Sequence, residues 1–258
     1  MQDSIYYTDQ RWPELKALAE QDAIVLLPVG QTEEHGPHLP VGCDVMISEE
    51  TARQVAEAAK AEMPVLVMPC VWAGYSGKGL FAWPGVISLP PELVIATVEH
   101  IVISLYKSGF KKVVIMNSHG HHPGILRVAA RKVNDQCDMH VVVTNIWNMA
   151  QDVVTRVRES ELGGCNHACE YETSLLLDWK ERVDMAAAVD EPVKPHSRFV
   201  TGDLCPGSKI FWSTWKYQQS ETGTYGCPTL ATAEKGAEIT KETVEQYLIL
   251  LRELKAAE

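Results

Sequence analysis

Two carboxylates and an imidazole lie close together in the first part of the chain, as Glu33, His35 and Asp44, just after the apolar run 23–27. These side chains are ligands that Zn²⁺ and Mn²⁺ accept. In an extended segment, Glu33 and His35 point to the same side and can reach one centre. Charged groups at the end of a buried strand are costly without a partner ion. The segment therefore predicts a metal site, although a stiff loop with no ligand role would also explain it.

Two later clusters add further ligand residues. Three histidines follow the apolar run 112–116, namely His119, His121 and His122. The segment 166–173 precedes a predicted helix and contributes His167 and Glu172. Together the three clusters supply enough ligands for two ions. A small structural zinc site at Cys165, His167 and Cys169 is a weaker alternative, because no second cysteine pair accompanies it.

Length and composition favour an intracellular enzyme. The chain has 258 residues, a net charge of −11 and seven cysteines. The negative charge argues against nucleic acid or an anionic membrane as a partner. An odd number of scattered cysteines in a chain of this size is typical of a reducing compartment. The N-terminus has no signal-peptide pattern, and no apolar stretch is long enough to span a membrane. We therefore expect a cytoplasmic protein.

The elements that must position these clusters alternate between strands and helices. Strands are predicted at 23–29, 65–71, 112–116 and 140–145, and helices at 45–60, 91–107, 124–134, 172–179 and 232–254. This order predicts one α/β domain over residues 1–258, with helices on both faces of the sheet. The stretch 181–229 is predicted to form loops over the sheet edge. If the strands are parallel, Glu33, His35 and His119 meet at their carboxyl ends, where α/β sheets place their sites.

The ordered motifs resemble those of the creatininase (creatinine amidohydrolase) family. They are Pro28-Val29-Gly30 with Glu33, His35-Gly36 and Asp44, then Asn117 with His119-Gly120, then His167-Ala168 with Glu170, Glu172 and Thr173. The resemblance covers nearly the whole chain. It implies a three-layer αβα sandwich with a mostly parallel central sheet, assembled as a homo-oligomer, commonly a hexamer. It also implies two divalent ions, Zn²⁺ or Mn²⁺, in each subunit.

The resemblance further assigns roles by motif position. It implies five metal ligands: Glu33, His35, Asp44, His119 and Glu172. Asp44 would bridge the two ions, His167 would donate or accept a proton, and Trp147 would line the substrate pocket. Asn166 is expected beside the substrate, at a position where creatininase has a glutamate.

Other departures from the family pattern concern the substrate. His121 replaces a glutamate ligand of creatininase, and Gly163 falls near the position of its second pocket tryptophan, so that wall is expected to be absent. Tyr75, His121 and His122 would instead place hydrogen-bond donors around the mouth. Donors left unpaired against an apolar ring penalise the wrong ligand strongly. We therefore expect a hydroxylated or oxygen-rich ring to react faster than creatinine.

The leading hypothesis is a dimetal hydrolase that opens a small polar cyclic or amide substrate. Two cations that share a carboxylate make hydroxide available near neutral pH, and His167 would then deliver a proton to the leaving atom. A second hypothesis is hydrolytic ring opening of a cyclic sugar diketone, because the family includes a 3-dehydro-scyllo-inosose hydrolase. A metal-binding or assembly protein with an inactive site is the alternative from another class. The sequence lacks the Gly-x-Ser-x-Gly motif of serine hydrolases and the common nucleotide-binding motifs.

Overall fold

A parallel four-stranded β-sheet forms the centre of the computed structural model, which describes residues 4–213 and 219–257. Its strands are β1 (Ile24–Val29), β2 (Val65–Val67), β3 (Lys112–Asn117) and β4 (His140–Asn145). The strand order is β2-β1-β3-β4, and each neighbouring pair is parallel. The predicted strand 65–71 ends early at Val67, because Pro28 of β1 has no N–H group to donate to the Met68 carbonyl, and contact with β1 resumes where the Val71 N–H donates to the Pro28 carbonyl.

Eight α-helices surround this sheet in the described part of the chain. They are α1 (Trp12–Glu20), α2 (Cys43–Ala59), α3 (Pro91–Lys107), α4 (Pro123–Asn134), α5 (Ile146–Met149), α6 (Gln151–Val157), α7 (Glu170–Asp178) and α8 (Ala233–Ala256). Helices α1, α5 and α6 were not predicted from the sequence. A small antiparallel ribbon pairs β5 (Cys165–His167) with β6 (Tyr225–Gly226). No helix in the described ranges has both the length and the apolar character needed to cross a membrane.

Alternate residues of the strands pack into two separate hydrophobic cores. In β1, Ile24 and Leu26 contact the core that α2 and α5 to α8 cover, whereas Val25 and Leu27 contact the core under α1, α3 and α4. Every residue of β1 is buried, so the strand is covered on both faces. This arrangement confirms the predicted α/β fold with helices on both sides of a mostly parallel sheet.

A close backbone approach joins the end of β1 to the start of α2. A Cβ atom added at Gly30 would lie 2.7 Å from the Cα and backbone nitrogen of Val45, closer than real contacts allow. The neighbouring residue, Asp44, lies in the first turn of α2. The absence of a side chain at Gly30 therefore lets the helix bring Asp44 to the carboxyl edge of the sheet.

We expect Gly30→Ala to lower the free energy of unfolding by about 1–3 kcal/mol, because the new methyl group meets backbone atoms that cannot rotate away. Gly124→Ala is the matched control, since its Cβ would meet nothing within 4 Å. The control should leave stability unchanged or raise it by up to about 1 kcal/mol, as alanine favours a helix over glycine. Urea denaturation measures the free energy of unfolding of both variants. If Gly30→Ala were as stable as Gly124→Ala, the close approach at Gly30 would be contradicted.

Candidate active site

The candidate site lies at the carboxyl edge of the parallel sheet. Glu33 follows β1, Asp44 begins α2, His119 follows β3, and Glu172 lies in the first turn of α7. These side chains and His35 are each at most 4% exposed. Because β1 and β3 are adjacent and in register to their ends, the segments that follow them must meet. The folded chain thus brings together all five residues predicted to bind metal.

The five residues form two groups of three that share Asp44. One group consists of Glu33, Asp44 and His119, and the other of His35, Asp44 and Glu172, with donor atoms within 4.8 Å of one another in each. The Nδ1 atom of His119 lies 3.2 Å from Glu33 Oε1 and 3.0 Å from Asp44 Oδ2. The Nε2 atom of His35 lies 3.4 Å from Asp44 Oδ1. The two carboxylate oxygens of Asp44 therefore face different groups, as a bridging ligand requires.

Backbone carbonyls orient three histidine rings around this cluster. His35 Nδ1 lies 3.2 Å from the carbonyl oxygen of Glu33, and His119 Nε2 lies 3.0 Å from that of Tyr75. His167 Nε2 lies 2.8 Å from the carbonyl oxygen of Glu34. A carbonyl only accepts, so each of these ring nitrogens donates and the opposite nitrogen keeps its lone pair. In all three rings the opposite nitrogen is directed at the carboxylate cluster, and Nδ1 of His167 forms a third close group with Glu33 and His35. For His35 and His119 this is the arrangement that orients metal-binding histidines.

The electrostatics of the cluster favour positive charge within it. Burial acts to raise the pKa values of Glu33 and Asp44, but the adjacent histidines outweigh it and lower both pKa values. Burial acts to lower the pKa of His119 and His35, yet neighbouring acidic groups raise both. For Glu172, burial is the largest influence and raises the pKa. Glu33 and Asp44, whose lowered pKa values keep them charged, therefore attract cations.

Three atoms of the cluster also lack a hydrogen bond of normal geometry to any described residue. They are Glu33 Oε1, His35 Nε2 and Asp44 Oδ2, all fully buried. Unpaired buried polar atoms cost free energy unless another partner satisfies them. Nitrogen and oxygen donors that converge without hydrogen-bonding one another fit divalent cations such as Zn²⁺ or Mn²⁺.

A hydrogen-bonded chain that sequence reasoning missed holds Glu33 in place. Ser76 Oγ donates to Glu33 Oε2 over 2.6 Å, and Gln31 Nε2 hydrogen-bonds to Ser76 Oγ. Gln31 is fully buried and its Oε1 accepts from the Gly74 N–H over 2.6 Å. One feature of the sequence could have indicated this chain: Gln31 is a polar residue at the end of an apolar strand, two residues before a candidate ligand.

A cavity of about 510 Å³ opens over the cluster. Glu33, Asp44, His119 and Glu172 lie at its base, and Trp147, Asn166, His167 and His121 line it further out. His121 Nδ1 accepts from the Gly77 N–H over 3.1 Å. Asn166 Nδ2 donates to the Gly202 carbonyl over 2.9 Å, so the amide nitrogen of Asn166 is bound to the loop that contains Gly202. Four of the residues predicted to contact a proton or substrate thus border one cavity with the metal cluster.

Tyr75 and His122, which we predicted at the mouth, do not line this cavity. His122 is fully buried, and its Nε2 accepts from the Tyr75 N–H over 3.0 Å. Its ring packs edge-on against His119, with centroids 4.6 Å apart. Neighbouring residues in the turn after β3 point in different directions, so His121 faces the cavity while His122 supports the loop of Tyr75.

Gly163 supplies no aromatic wall, as expected, but aromatic side chains line the cavity at other positions. Gly163 has φ +95°, and a Cβ there would lie 1.9 Å from the Val193 carbonyl oxygen, so no side chain fits. Aromatic surface comes instead from Phe211 and Trp212, in the stretch 181–229 that was predicted only as loops. Without periodicity in this stretch, the sequence could not place these rings near the site.

Comparison with known proteins places the chain and its fold in a family. A family model described as creatinine amidohydrolase matches residues 8–251. The creatinine amidohydrolase of Pseudomonas putida is 29% identical, with 98% of each chain covered. The 3-dehydro-scyllo-inosose hydrolase of Thermotoga maritima is 26% identical, with 97% of this chain and 82% of that protein covered. The solved structure Creatininase Mn has a TM-score of 0.82 and 27% identity, covering 99% of this chain and 100% of the other. The resemblance seen in the sequence is thereby confirmed, and the chain belongs to the creatininase family.

Proposed function

We propose that the chain is a dimetal hydrolase that opens a small polar cyclic or amide substrate. The observation that carries this proposal is the pair of buried three-residue groups that share Asp44. Glu33 and His119 would hold one ion, His35 and Glu172 the other, and Asp44 would bridge them. The relatives named as hydrolases support the reaction class.

Zn²⁺ and Mn²⁺ are the cations that this donor set suits best, because it combines imidazole nitrogen with carboxylate oxygen. When bound, two such ions supply a Lewis acid and make a water molecule nucleophilic near neutral pH. The chain contributes the charge and the orientation: Ser76 fixes Glu33, and backbone carbonyls fix the rings of His35 and His119. A preorganised ligand set of this kind avoids rearrangement during the reaction.

His167 is the residue that we assign to proton transfer. Its Nε2–H donates to the Glu34 carbonyl, which leaves Nδ1 as the nitrogen that can accept or deliver a proton. Nδ1 lies 3.5 Å from Glu33 Oε1 and the ring borders the cavity. A general acid or base must lie within hydrogen-bond reach of the reacting atoms, and this position beside the cluster provides it.

Trp147, Asn166 and His121 are the proposed substrate contacts, because each lines the cavity beside the cluster. Tyr75 and His122 support the neighbouring loop and are not proposed as contacts. A single domain, a homo-oligomer (a hexamer by family resemblance) and the cytoplasm remain predictions for this chain.

Hydrolytic ring opening of a cyclic sugar diketone is the second candidate. Three asparagines, Asn145, Asn148 and Asn166, line the cavity and offer amides to a substrate rich in oxygen. The Thermotoga maritima relative is named for such a substrate. Hydrolysis of creatinine compared with polyhydroxylated cyclic ketones and lactones separates this candidate from cyclic amide cleavage.

The wild-type protein should bind about two divalent ions per chain, and Asp44→Ala should lose more metal than His121→Ala. Asp44 belongs to both three-residue groups, whereas His121 belongs to neither. Elemental analysis after exposure to excess Zn²⁺ or Mn²⁺ and removal of unbound ions measures the content of each variant. Equal loss in the two variants would contradict Asp44 as the bridge, and a wild-type protein without metal would contradict the proposed function.

Ser76→Ala should weaken divalent-ion binding by about 10- to 100-fold, the usual effect of losing a hydrogen bond to a metal ligand. Ser88→Ala is the control, because Ser88 hydrogen-bonds to the backbone of Ser76 but does not touch Glu33. Titration of metal-free protein against a competing chelator gives both affinities. If Ser88→Ala weakens binding as much, the loop and not the Glu33 contact would be responsible.

His167→Ala should keep both metals but lower kcat by about 10²- to 10⁴-fold, the contribution of a general acid or base. The assay uses whichever substrate the wild type hydrolyses best among creatinine, other lactams and polyhydroxylated cyclic ketones. His100→Ala, at an exposed position on α3, serves as control and should leave kcat unchanged. Loss of metal in His167→Ala would make His167 a ligand, and a wild type inactive on the whole panel but loaded with metal would favour a binding protein.

A further inference from the structure

We infer that the outer half of the cavity is a second substrate subsite, which receives a flat apolar group attached to the part of the substrate that is hydrolysed. This inference rests on the proposed function and extends it. The substrate would then have two parts, a compact polar head at the metal cluster and a planar tail near Trp212.

The volume of the cavity is the first argument. At about 510 Å³ it falls within the range, roughly 300 to 1,000 Å³, of pockets that enclose drug-sized ligands. A single small ring bound at the carboxylate cluster would leave much of this space empty. The remaining space has a distinct lining, so it can recognise a further part of the ligand.

The distribution of polar and apolar side chains is the second argument. The base of the cavity consists of carboxylates and histidines, whereas three consecutive residues of its outer lining are large and apolar: Ile210, Phe211 and Trp212. Their exposed fractions are 43%, 92% and 51%. Exposed apolar side chains that cluster into one patch are a feature of binding surfaces, unlike those that are scattered singly. Here that surface is continuous with the catalytic cavity, and its natural occupant is the rest of the substrate.

A well-anchored loop directly precedes these apolar residues. The Lys209 N–H donates to the Phe199 carbonyl over 3.0 Å and closes the loop 199–209. Further along the loop, the buried Asp203 carboxylate accepts from the N–H groups of Gly163 and Cys165 and pairs with Arg158 at 2.9 Å. Because Cys165 belongs to β5, the same strand fixes both this loop and His167. The start of the apolar lining is therefore tied to the strand that carries the site of proton transfer.

The ring of Trp212 explains why the tail should be planar. It packs edge-on against His196, with centroids 5.0 Å apart and an interplanar angle of 81°. This contact restrains the plane of the indole. Aromatic rings gain most from flat partners in offset-stacked or edge-to-face arrangements. A planar tail gains more from this surface than a flexible aliphatic chain of equal size.

Two hydroxamates that differ only in their tail test the inference. Acetohydroxamate can chelate the metals without reaching the outer half, and phenylacetohydroxamate adds a planar ring. Isothermal titration calorimetry with Mn²⁺-loaded wild type should give at least about tenfold tighter binding for phenylacetohydroxamate, since burying a phenyl ring stabilises the complex by at least that factor. In Trp212→Ala the advantage should fall to about threefold or less, with acetohydroxamate binding unchanged.

Trp72→Ala is the matched control, because Trp72 is 55% exposed and lies outside the cavity lining. This variant should keep the full advantage of the phenyl compound. Equal binding of both hydroxamates to the wild type would refute the subsite. Tighter binding of phenylacetohydroxamate that persists in a variant with both Trp212→Ala and Phe211→Ala would refute it as well. The proposed metal site would stand in both cases. If neither compound binds, the proposed metal site fails and the subsite falls with it.

Discussion

The burial of three carboxylates at one edge of the sheet is the constraint on which the rest of the site depends. Glu33, Asp44 and Glu172 are at most 3% exposed, and burying an unpaired charge costs several kcal/mol or more. Parallel strands bring these groups together because their carboxyl ends share one edge. The free-energy cost must be offset within the cluster, and Zn²⁺ or Mn²⁺ would offset it most directly. The histidines alone reduce it only by taking up protons.

The orientation of the histidines depends on the backbone of the same motif. The carbonyls of Glu33 and Glu34 accept from His35 and His167, and the carbonyl of Tyr75 accepts from His119. The segment that supplies a metal-ligand candidate therefore also orients two rings through its main chain. Because these bonds depend on loop conformation and not on side-chain type, inspection of residue types could not reveal them.

The inner part of the site was predictable because its residues follow strands. The apolar runs before Glu33 and His119 are clear in the sequence, and parallel strands that end together place the following residues side by side. The cluster 166–173 already marked His167 and Glu172 as ligand candidates, but their separate roles required the family resemblance, since nothing in their local pattern indicates which sheet edge they approach. The pair His121 and His122 marks the limit of this reasoning. Both are histidines of one turn, and only the fold decides that His122 supports the loop of Tyr75.

The outer part was not predictable, because it is built from loops without periodicity. Phe211 and Trp212 follow a loop that Asp203 anchors by long-range contacts, and no local signal encodes such contacts. The chain thus divides its site between two kinds of structure. The candidate ligands lie at strand ends and helix starts, where small displacements would destroy the geometry of the metal site. The surface that would select the substrate lies on loops. Loops tolerate sequence change far better than the elements they connect. Two relatives that are 26–29% identical to this chain bear the names of different substrates, and a division of the site between strand ends and loops would allow the lining of the cavity to change while the candidate ligands stay in place.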